Sequence, residues 1–250
     1  MRTQSESALP YQAPLLLARA EELAEYVRAL DVRQIAQVMK LSPDKAASTV
    51  ELMATWSSGA HGSRLAIDAF IGDIYSGLQV HTWTSDDRRY ADTCLLILSG
   101  LYGGLRACDS VAPYRLEMGY RLPNMPEKNL YQYWGDTLAK LLNPTAETLV
   151  NLSAVEYTKA LLPYIDIPVV TPRFLTISSK TGVPTFVVVH AKIARGAFAK
   201  WLIVNRIATT EQLTRFDDLG YRYDVSLSTP EQPVYVCEEF GGIGLSVRLS

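Results

Sequence analysis

Residues 98–122 read LSGLYGGLRACDSVAPYRLEMGYRL. Tyr102, Arg106, Asp109, Tyr114, Arg115, Glu117 and Tyr120 stand there among glycines and short apolar residues. Charges set in apolar surroundings must be paired or put to use, so this run is the first candidate site. Arginine is the natural bidentate partner of a carboxylate or a phosphate. Two readings are open. Arg106 and Arg115 hold an anion, with Glu117 or Asp109 as proton acceptor, or the same charges form a structural salt-bridge network.

On the N-terminal side the pattern is helical. Leu16, Ala20, Leu23, Val27 and Leu30 recur at helical spacing over 15–30. Asp31 is placed to cap a second short helix, and Leu41-Ser42-Pro43 is a turn into a third over about 43–57. Within 65–78 the glycines Gly72 and Gly77 are expected to break any long helix. Helices are predicted over 86–98 and 127–142, the second ending at Asn143-Pro144. Leu149–Leu152 is a short strand candidate with a helix after Ala154. The final third is β-rich at 169–170, 174–177 and 185–189, with Thr181-Gly182 as a hairpin turn. A long helix over about 191–207 follows, then strands at 221–226 and 234–237, and a weakly ordered tail from Gly241. The fold class is α+β (mixed α/β). The interleaved order predicts one domain over 1–250, with 15–57 as a helical portion within it.

Three further constellations carry candidate residues. Asp73 and Tyr75 lie between Gly72 and Gly77. Glycines there allow close backbone approach to a ligand, whereas Asp73 is equally a turn or cap residue. Ser153 and Glu156 have capping-box spacing, which accounts for both without function but leaves Lys159 unexplained. On the helix at 191–207, Lys192, Arg195 and Arg206 share one face, suited to phosphates or simply to solvent. Gly196 costs that helix about 1 kcal/mol relative to alanine, so it marks close packing or close ligand approach. Tyr131, Tyr133 and Trp134 read as core.

Composition excludes several classes. The net charge of −2 gives no global field for nucleic acid or an anionic membrane. Cys94, Cys108 and Cys237 match no zinc or redox spacing, and reduced thiols in a cytoplasmic protein are expected. No apolar run approaches the roughly 20 residues that span a bilayer. His61, His81 and His190 are isolated, so no metal site is expected, and no cofactor motif is evident.

AFIGDIYSGL, the 98–122 run, NLYQYWGD, NLSAVEYTK, KIARG and EQLTRFDDLGY together resemble the YaaA peroxide-stress protein family. The matching runs extend from about residue 65 to 224. The resemblance implies a bacterial, cytoplasmic protein that limits oxidative damage when peroxide and iron threaten DNA. It also implies a mixed α/β fold with a helix-hairpin-helix, a positively charged cleft and binding to double-stranded DNA. Two departures stand out. The family's opening strand and Ser-Pro-Ala-Lys-Thr motif are replaced by Leu9-Pro10-Tyr11-Gln12-Ala13-Pro14, with Ser7 nearest the motif lysine, so the start is truncated or divergent. The family's Arg-Pro-Leu-Asp stands here as Arg106-Ala107-Cys108-Asp109. The hairpin candidate at 32–53 has no glycine at its turn, and Pro43 removes a donor, which makes it degenerate. Lys40 and Lys45 remain as phosphate contacts.

Two functions are therefore expected in parallel. One is a DNA-associated stress protein. The other is an enzyme doing non-redox acid/base chemistry on a small anionic substrate, in a biosynthetic setting. The ligand cleft would comprise Asp73, Tyr75, Arg106, Tyr114, Arg115, Lys192 and Arg195. Glu117 or Asp109 would act as base and Lys159 as acid or electrostatic stabiliser.

Overall fold

The computed structural model describes residues 10–57 and 64–244. The expectation for Ser7 and the histidine at 61 lie outside them. In chain order the helices and strands are α1 (Leu17–Arg28), α2 (Val32–Met39), α3 (Pro43–Thr55), β1 (Arg64–Leu65), α4 (Ala66–Ala69), α5 (Asp73–Leu78), α6 (Ser85–Cys94), β2 (Ile97–Ser99), β3 (Gly103–Leu105), β4 (Ser110–Val111), α7 (Leu130–Trp134), β5 (Leu149–Val150), α8 (Val155–Leu161), β6 (Val169–Val170), β7 (Arg173–Ile177), β8 (Pro184–Thr185), α9 (Val188–Val204), β9 (Tyr221–Tyr223) and β10 (Val234–Cys237). The fold is α+β. Its contacts group into two compact units: 1–69, 91–144 and 153–165 in the first, and 70–90, 145–152 and 166–250 in the second. Neither unit is a continuous stretch of sequence.

The first unit begins with the three expected helices. Asp31 caps α2 by accepting the Gln34 N–H at 2.8 Å, and Gln34 returns the bond to the Asp31 N–H at 3.0 Å, which makes a capping box. Lys40 takes the left-handed conformation (φ 51°) that ends α2, and Pro43 opens α3. Lys40 and Lys45 are both exposed. The 98–122 run folds as the β2–β3 hairpin and the turns after β4. Gly103 needs its positive φ of 72° there, and an added Cβ would stand 2.8 Å from the Trp134 ring. Trp134 is fully buried and donates its indole N–H to the Gly100 carbonyl at 3.1 Å.

Two predicted helices of this unit are shorter than expected. The one over 127–142 is only α7, because Asn129 caps its start and Gly135 (φ 50°) ends it. Two turns of 3-10 helix follow. The one over 86–98 stops at Cys94, and Ile97–Ser99 pairs with Gly103–Leu105 instead. A continuous apolar run suits a buried strand as well as a helix, and periodicity does not separate them.

The second unit is a four-stranded sheet, β8-β7-β10-β9, packed on α9. β7 and β10 are parallel, and the outer pairs are antiparallel. Phe174, Phe198, Phe216, Tyr221 and Tyr235 fill the core between sheet and helix. Gly182 (φ 67°) makes the expected β7–β8 hairpin turn. The predicted strand over 185–189 ends at Thr185, and Val188 already begins α9. The helix thus starts and ends earlier than its charge pattern suggested. Gly72 (φ 142°) separates α4 from α5, but Gly77 lies inside α5 and does not break it.

α5 and α9 pack closely because glycines face each other's backbone. A Cβ on Gly77 would stand 1.9 Å from the Ile193 carbonyl oxygen, and one on Gly196 would stand 1.8 Å from that of Ile74. Close packing is therefore the reason for Gly196.

His190, in the first turn of α9, lies flat on Phe240 at 3.9 Å between centroids. Its Nδ1 meets Thr176 Oγ1 at 3.0 Å. Burial pushes its pKa below the ordinary imidazole value of 6.5. The fold thus favours the neutral ring. That contribution is complete above the unfolded value and is lost as pH falls through the lower folded one. The Gly241 N–H, bonded to the Leu219 carbonyl at 3.2 Å, reports on this segment. Its hydrogen exchange, corrected for intrinsic rate, is expected to lose protection below about pH 6 in the native chain and not in His190→Gln. Equal protection at pH 5 and pH 8 in the native chain would contradict this.

Candidate functional site

In the first unit the strongest concentration of polar groups lies on the turn at 114–120 and the helix α8. Tyr114 anchors the turn from below. Its hydroxyl meets Ser99 Oγ at 2.6 Å, and its ring stands edge-on to Tyr102 at 5.4 Å. Ser99 Oγ also accepts the Tyr102 N–H at 2.9 Å, while the Tyr102 hydroxyl accepts from the Trp56 indole and the Ala112 N–H. Burial pushes the Tyr114 phenol well above its ordinary range, with Tyr157 and Glu117 adding to the shift. Tyr114 is therefore a neutral support at any working pH.

The turn is held from the side by Glu156 of α8, whose Oε1 accepts the Gly119 N–H at 2.6 Å. Ser153 meets the Thr158 hydroxyl at 2.8 Å. Ala154, not Ser153, is the N-cap of α8, with no side-chain cap bond, and Glu156 bonds a distant segment. Arg115 bonds the Tyr120 hydroxyl. Burial, and then Glu117, raise the Tyr120 phenol above its ordinary value, against the pull of Arg115. Arg115, Glu117 and Lys159 are exposed. Lys159 makes no hydrogen bond or ion pair among the described residues.

Arg106 and Asp109 are engaged with each other. Asp109 is fully buried and takes the Arg106 Nε and Nη2 at 2.9 and 2.7 Å through Oδ1. Its Oδ2 accepts the Arg106 N–H at 2.8 Å. Burial raises the Asp109 carboxyl above its ordinary value while Arg106 pulls it back. Arg106 also donates to the Ala13 carbonyl at 3.0 Å. Both oxygens of Asp109 are occupied, so the salt-bridge reading accounts for this pair without a ligand.

In the second unit Asp73 opens α5, and Tyr75 stacks on Phe70 at 5.5 Å. Lys192 is exposed and Arg195 half-buried on α9, where burial lowers the Arg195 pKa. A Cβ on Gly244 would stand 3.1 Å from Asp73 Oδ1. The basic stripe does not persist along the helix. Lys200 bonds Gln79 at 2.8 Å, and Arg206 lies beyond α9, paired with Asp87 at 2.8 Å and 4.5 Å above the Tyr90 ring. The structure thus groups Tyr114, Arg115, Glu117 and α8 in one unit, and Asp73, Tyr75, Lys192 and Arg195 on a helix pair in the other. Among the described residues no cluster of histidine, cysteine and carboxylates has the makings of a metal site. No helix there is long and apolar enough to cross a membrane.

The model of a family described as peroxide stress protein YaaA matches residues 1–227. This chain belongs to the YaaA family. It is 51% identical to a UPF0246 protein of Salinispora tropica, over 99% of this chain and 94% of the relative. A UPF0246 protein of Marinomonas sp. is 40% identical over 95% and 93%, and one of Roseobacter denitrificans 37% identical over 93% of both. The N-terminal segment around Gln12 is tied to the turn that carries Arg106 and Asp109. Gln12 bonds the Cys108 carbonyl and the Ser110 N–H, and its side chain donates to Asp92 at 3.0 Å. It therefore runs beside Arg106 and Asp109, stitched to the same turn.

Sequence reasoning misses three residues outside the turn at 114–120: Ser99 stands in a strand, Glu156 has the spacing of a cap, and Tyr131 reads as core. Tyr131 is half-buried, unlike Tyr133 and Trp134, and burial and Glu156 both raise its phenol. Its one legible signal is position. On a helix opening at Leu130, Tyr131 cannot share the buried face of both Leu130 and Trp134.

Proposed function

We propose that this protein serves in peroxide defence by associating with DNA, and that Arg115 and Lys159 hold its phosphates. The observation that carries this is the turn at 114–120. It is fixed by the Ser99–Tyr114 and Glu156–Gly119 bonds, its exposed Arg115 meets the Tyr120 phenol rather than a buried carboxylate, and Lys159 is exposed on the helix that carries Glu156. Preorganised, solvent-facing cations on rigid supports are what phosphate binding requires. The family description supports the stress role. Lys40 and Lys45 beside the α2–α3 turn, in the same unit, are further basic contacts of this reading, and Lys192 and Arg195 on α9 are a separate basic pair of the second unit.

Fluorescence anisotropy with a labelled duplex tests it. Arg115→Ala combined with Lys159→Ala is expected to weaken binding by roughly a hundredfold or more, from two charge-assisted contacts at about 1.5–3 kcal/mol each. Neutralising Lys40, Lys45, Lys192 and Arg195 together is expected to weaken it further. Unchanged affinity in both sets would overturn the reading.

Acid/base chemistry on a small anion is the second reading, favoured by Glu117. Its exposed carboxylate neighbours the Tyr120 phenol, with Arg115 alongside. In that case Glu117 accepts a proton from an anion held by Arg115, and Lys159 stabilises the charge that develops. Turnover of a small anion, abolished by Glu117→Gln with binding retained, would decide for it.

A further inference from the structure

The second unit holds a surface cavity that none of the expected site residues lines. It is lined by the 3-10 turn Thr210–Arg215, the end of β9 and the loop that joins β9 to β10. Its volume of about 180 Å³ is below the roughly 300–1,000 Å³ of sites for drug-sized ligands, so it suits one side chain rather than a cofactor. Leu213, Tyr223, Pro230 and Pro233 contribute apolar surface, and among the described residues that line it Glu211 alone is charged. The walls are braced. The Tyr235 hydroxyl donates to the Leu213 carbonyl at 2.7 Å, and Gln212 Oε1 accepts the Thr209 N–H at 3.1 Å. In the loop, Ser228 Oγ accepts the Val234 N–H at 2.8 Å, and Thr229 and Gln232 exchange backbone bonds at 3.2 and 3.1 Å. Two lining groups are left for a ligand. Glu211 makes no ion pair among the described residues and accepts only from close neighbours in sequence. Tyr223 is half-buried, and its hydroxyl makes no hydrogen bond among the described residues. Residues 209–233 carry five carboxylates against two arginines, and Arg222 donates to the Asp217 and Tyr221 carbonyls at 2.8 and 3.0 Å. This face therefore repels a phosphate and favours a cation.

We propose that this cavity receives the side chain of an arginine from a partner polypeptide, with Glu211 pairing the guanidinium and Tyr223 and the two prolines packing against its plane and stem. A guanidinium is planar, less strongly hydrated than an ammonium, and able to stack on flat apolar surfaces. A carboxylate takes it through two parallel N–H bonds. The loop beside the cavity selects an arginine in a chain over the free amino acid. Val225 and Leu227 stand between the lining residues Tyr223 and Thr229 and are 78% and 46% exposed. They offer apolar surface to the residues that flank the arginine. An arginine seated in a pocket with apolar surroundings is a frequent anchor of protein interfaces. The site uses only residues of the second unit and selects the opposite charge to a phosphate, so it stands apart from the proposed DNA contacts.

Amide NMR shifts of the isotope-labelled full chain test it. The probes are the blocked pentapeptide Ala-Val-Arg-Val-Ala, its versions with lysine or citrulline in place of arginine, and free arginine. The arginine peptide is expected to shift the Thr210, Glu211, Thr214 and Thr229 amides saturably. Citrulline keeps the shape without the charge and should bind about fivefold more weakly, the scale of a solvent-accessible ion pair. Lysine should fall between them. Glu211→Gln should weaken the arginine peptide by the same factor and remove its preference over the citrulline peptide. Glu211 is exposed, so this change leaves the packing of the unit intact and its effect belongs to the site. Tyr223→Leu should weaken the arginine peptide about threefold through loss of the aromatic face. Val225→Ser with Leu227→Ser should weaken the peptide and leave free arginine unchanged. Equal binding of the arginine and citrulline peptides, shifts confined to other parts of the chain, or a Glu211→Gln chain with the native preference would overturn the proposal. Free arginine that binds as tightly as the peptide would overturn the assignment to a partner chain.

Discussion

Gly196→Ala is expected to destabilise the unit built on α5 and α9 by about 2 kcal/mol or more. Two effects oppose each other. Alanine is the better helix former by about 1 kcal/mol, so local propensity predicts a gain. Packing predicts a loss, because the new Cβ would fall 1.8 Å from the Ile74 carbonyl oxygen and 2.7 Å from the Leu78 nitrogen. Both are backbone atoms, so no side-chain rotation relieves the overlap and the helices must move apart. Overpacking typically costs about 1–3 kcal/mol, and a backbone clash belongs at or above the top of that range. Packing therefore wins. Gly77→Ala meets the Ile193 carbonyl oxygen at 1.9 Å and should behave alike. The double variant should cost less than the sum, since both changes separate the same helix pair. Urea unfolding followed by tryptophan fluorescence measures this. A Gly196→Ala chain as stable as the native one would show that the close approach is not required.

Asp109→Ala is expected to cost roughly 3 kcal/mol in the other unit. Removing one member of a buried pair leaves its partner's charge uncompensated, at about 3–5 kcal/mol. The Arg106 side chain is 29% exposed and its counterpart fully buried, so water recovers part of that loss and the lower end applies. The Arg106 N–H and the turn that it closes also lose their acceptor. Asp109→Asn retains an acceptor for that N–H and should cost less. If both folded variants match the native chain in the proposed duplex binding, the pair is structural, as its closed geometry indicates. Loss of binding in a fully folded Asp109→Asn chain would return Asp109 to the candidate site.

What was legible in the sequence followed local rules. The helices at 17–28, 32–39 and 43–55, the Asp31 cap and the Thr181-Gly182 turn each depend on neighbours within a few residues. Gly196 was legible as an anomaly, because a glycine inside a good helix needs a reason from outside it. The Arg106–Asp109 pairing was legible as one of two alternatives from its spacing. What escaped was decided over longer distances. Glu156 had a local partner by spacing and a better one in Gly119, from a segment it meets only in the fold. The stop at Gly135 depends on a backbone conformation, not on a pattern of hydrophobicity. Each compact unit is assembled from three separate stretches, a grouping that no local pattern reports. The expected ligand residues are divided between the two units, and in the first of them Arg115 and Lys159 carry the proposed phosphate contacts.

The salt dependence of duplex binding, compared between the native chain and Arg115→Ala/Lys159→Ala, tests that claim most directly. Each phosphate contact contributes about 0.9 to the slope of log affinity against log salt. Loss of two contacts should make the slope shallower by about 2 and weaken binding uniformly across sequences. An unchanged slope would place the DNA contacts elsewhere and contradict the assignment of this turn.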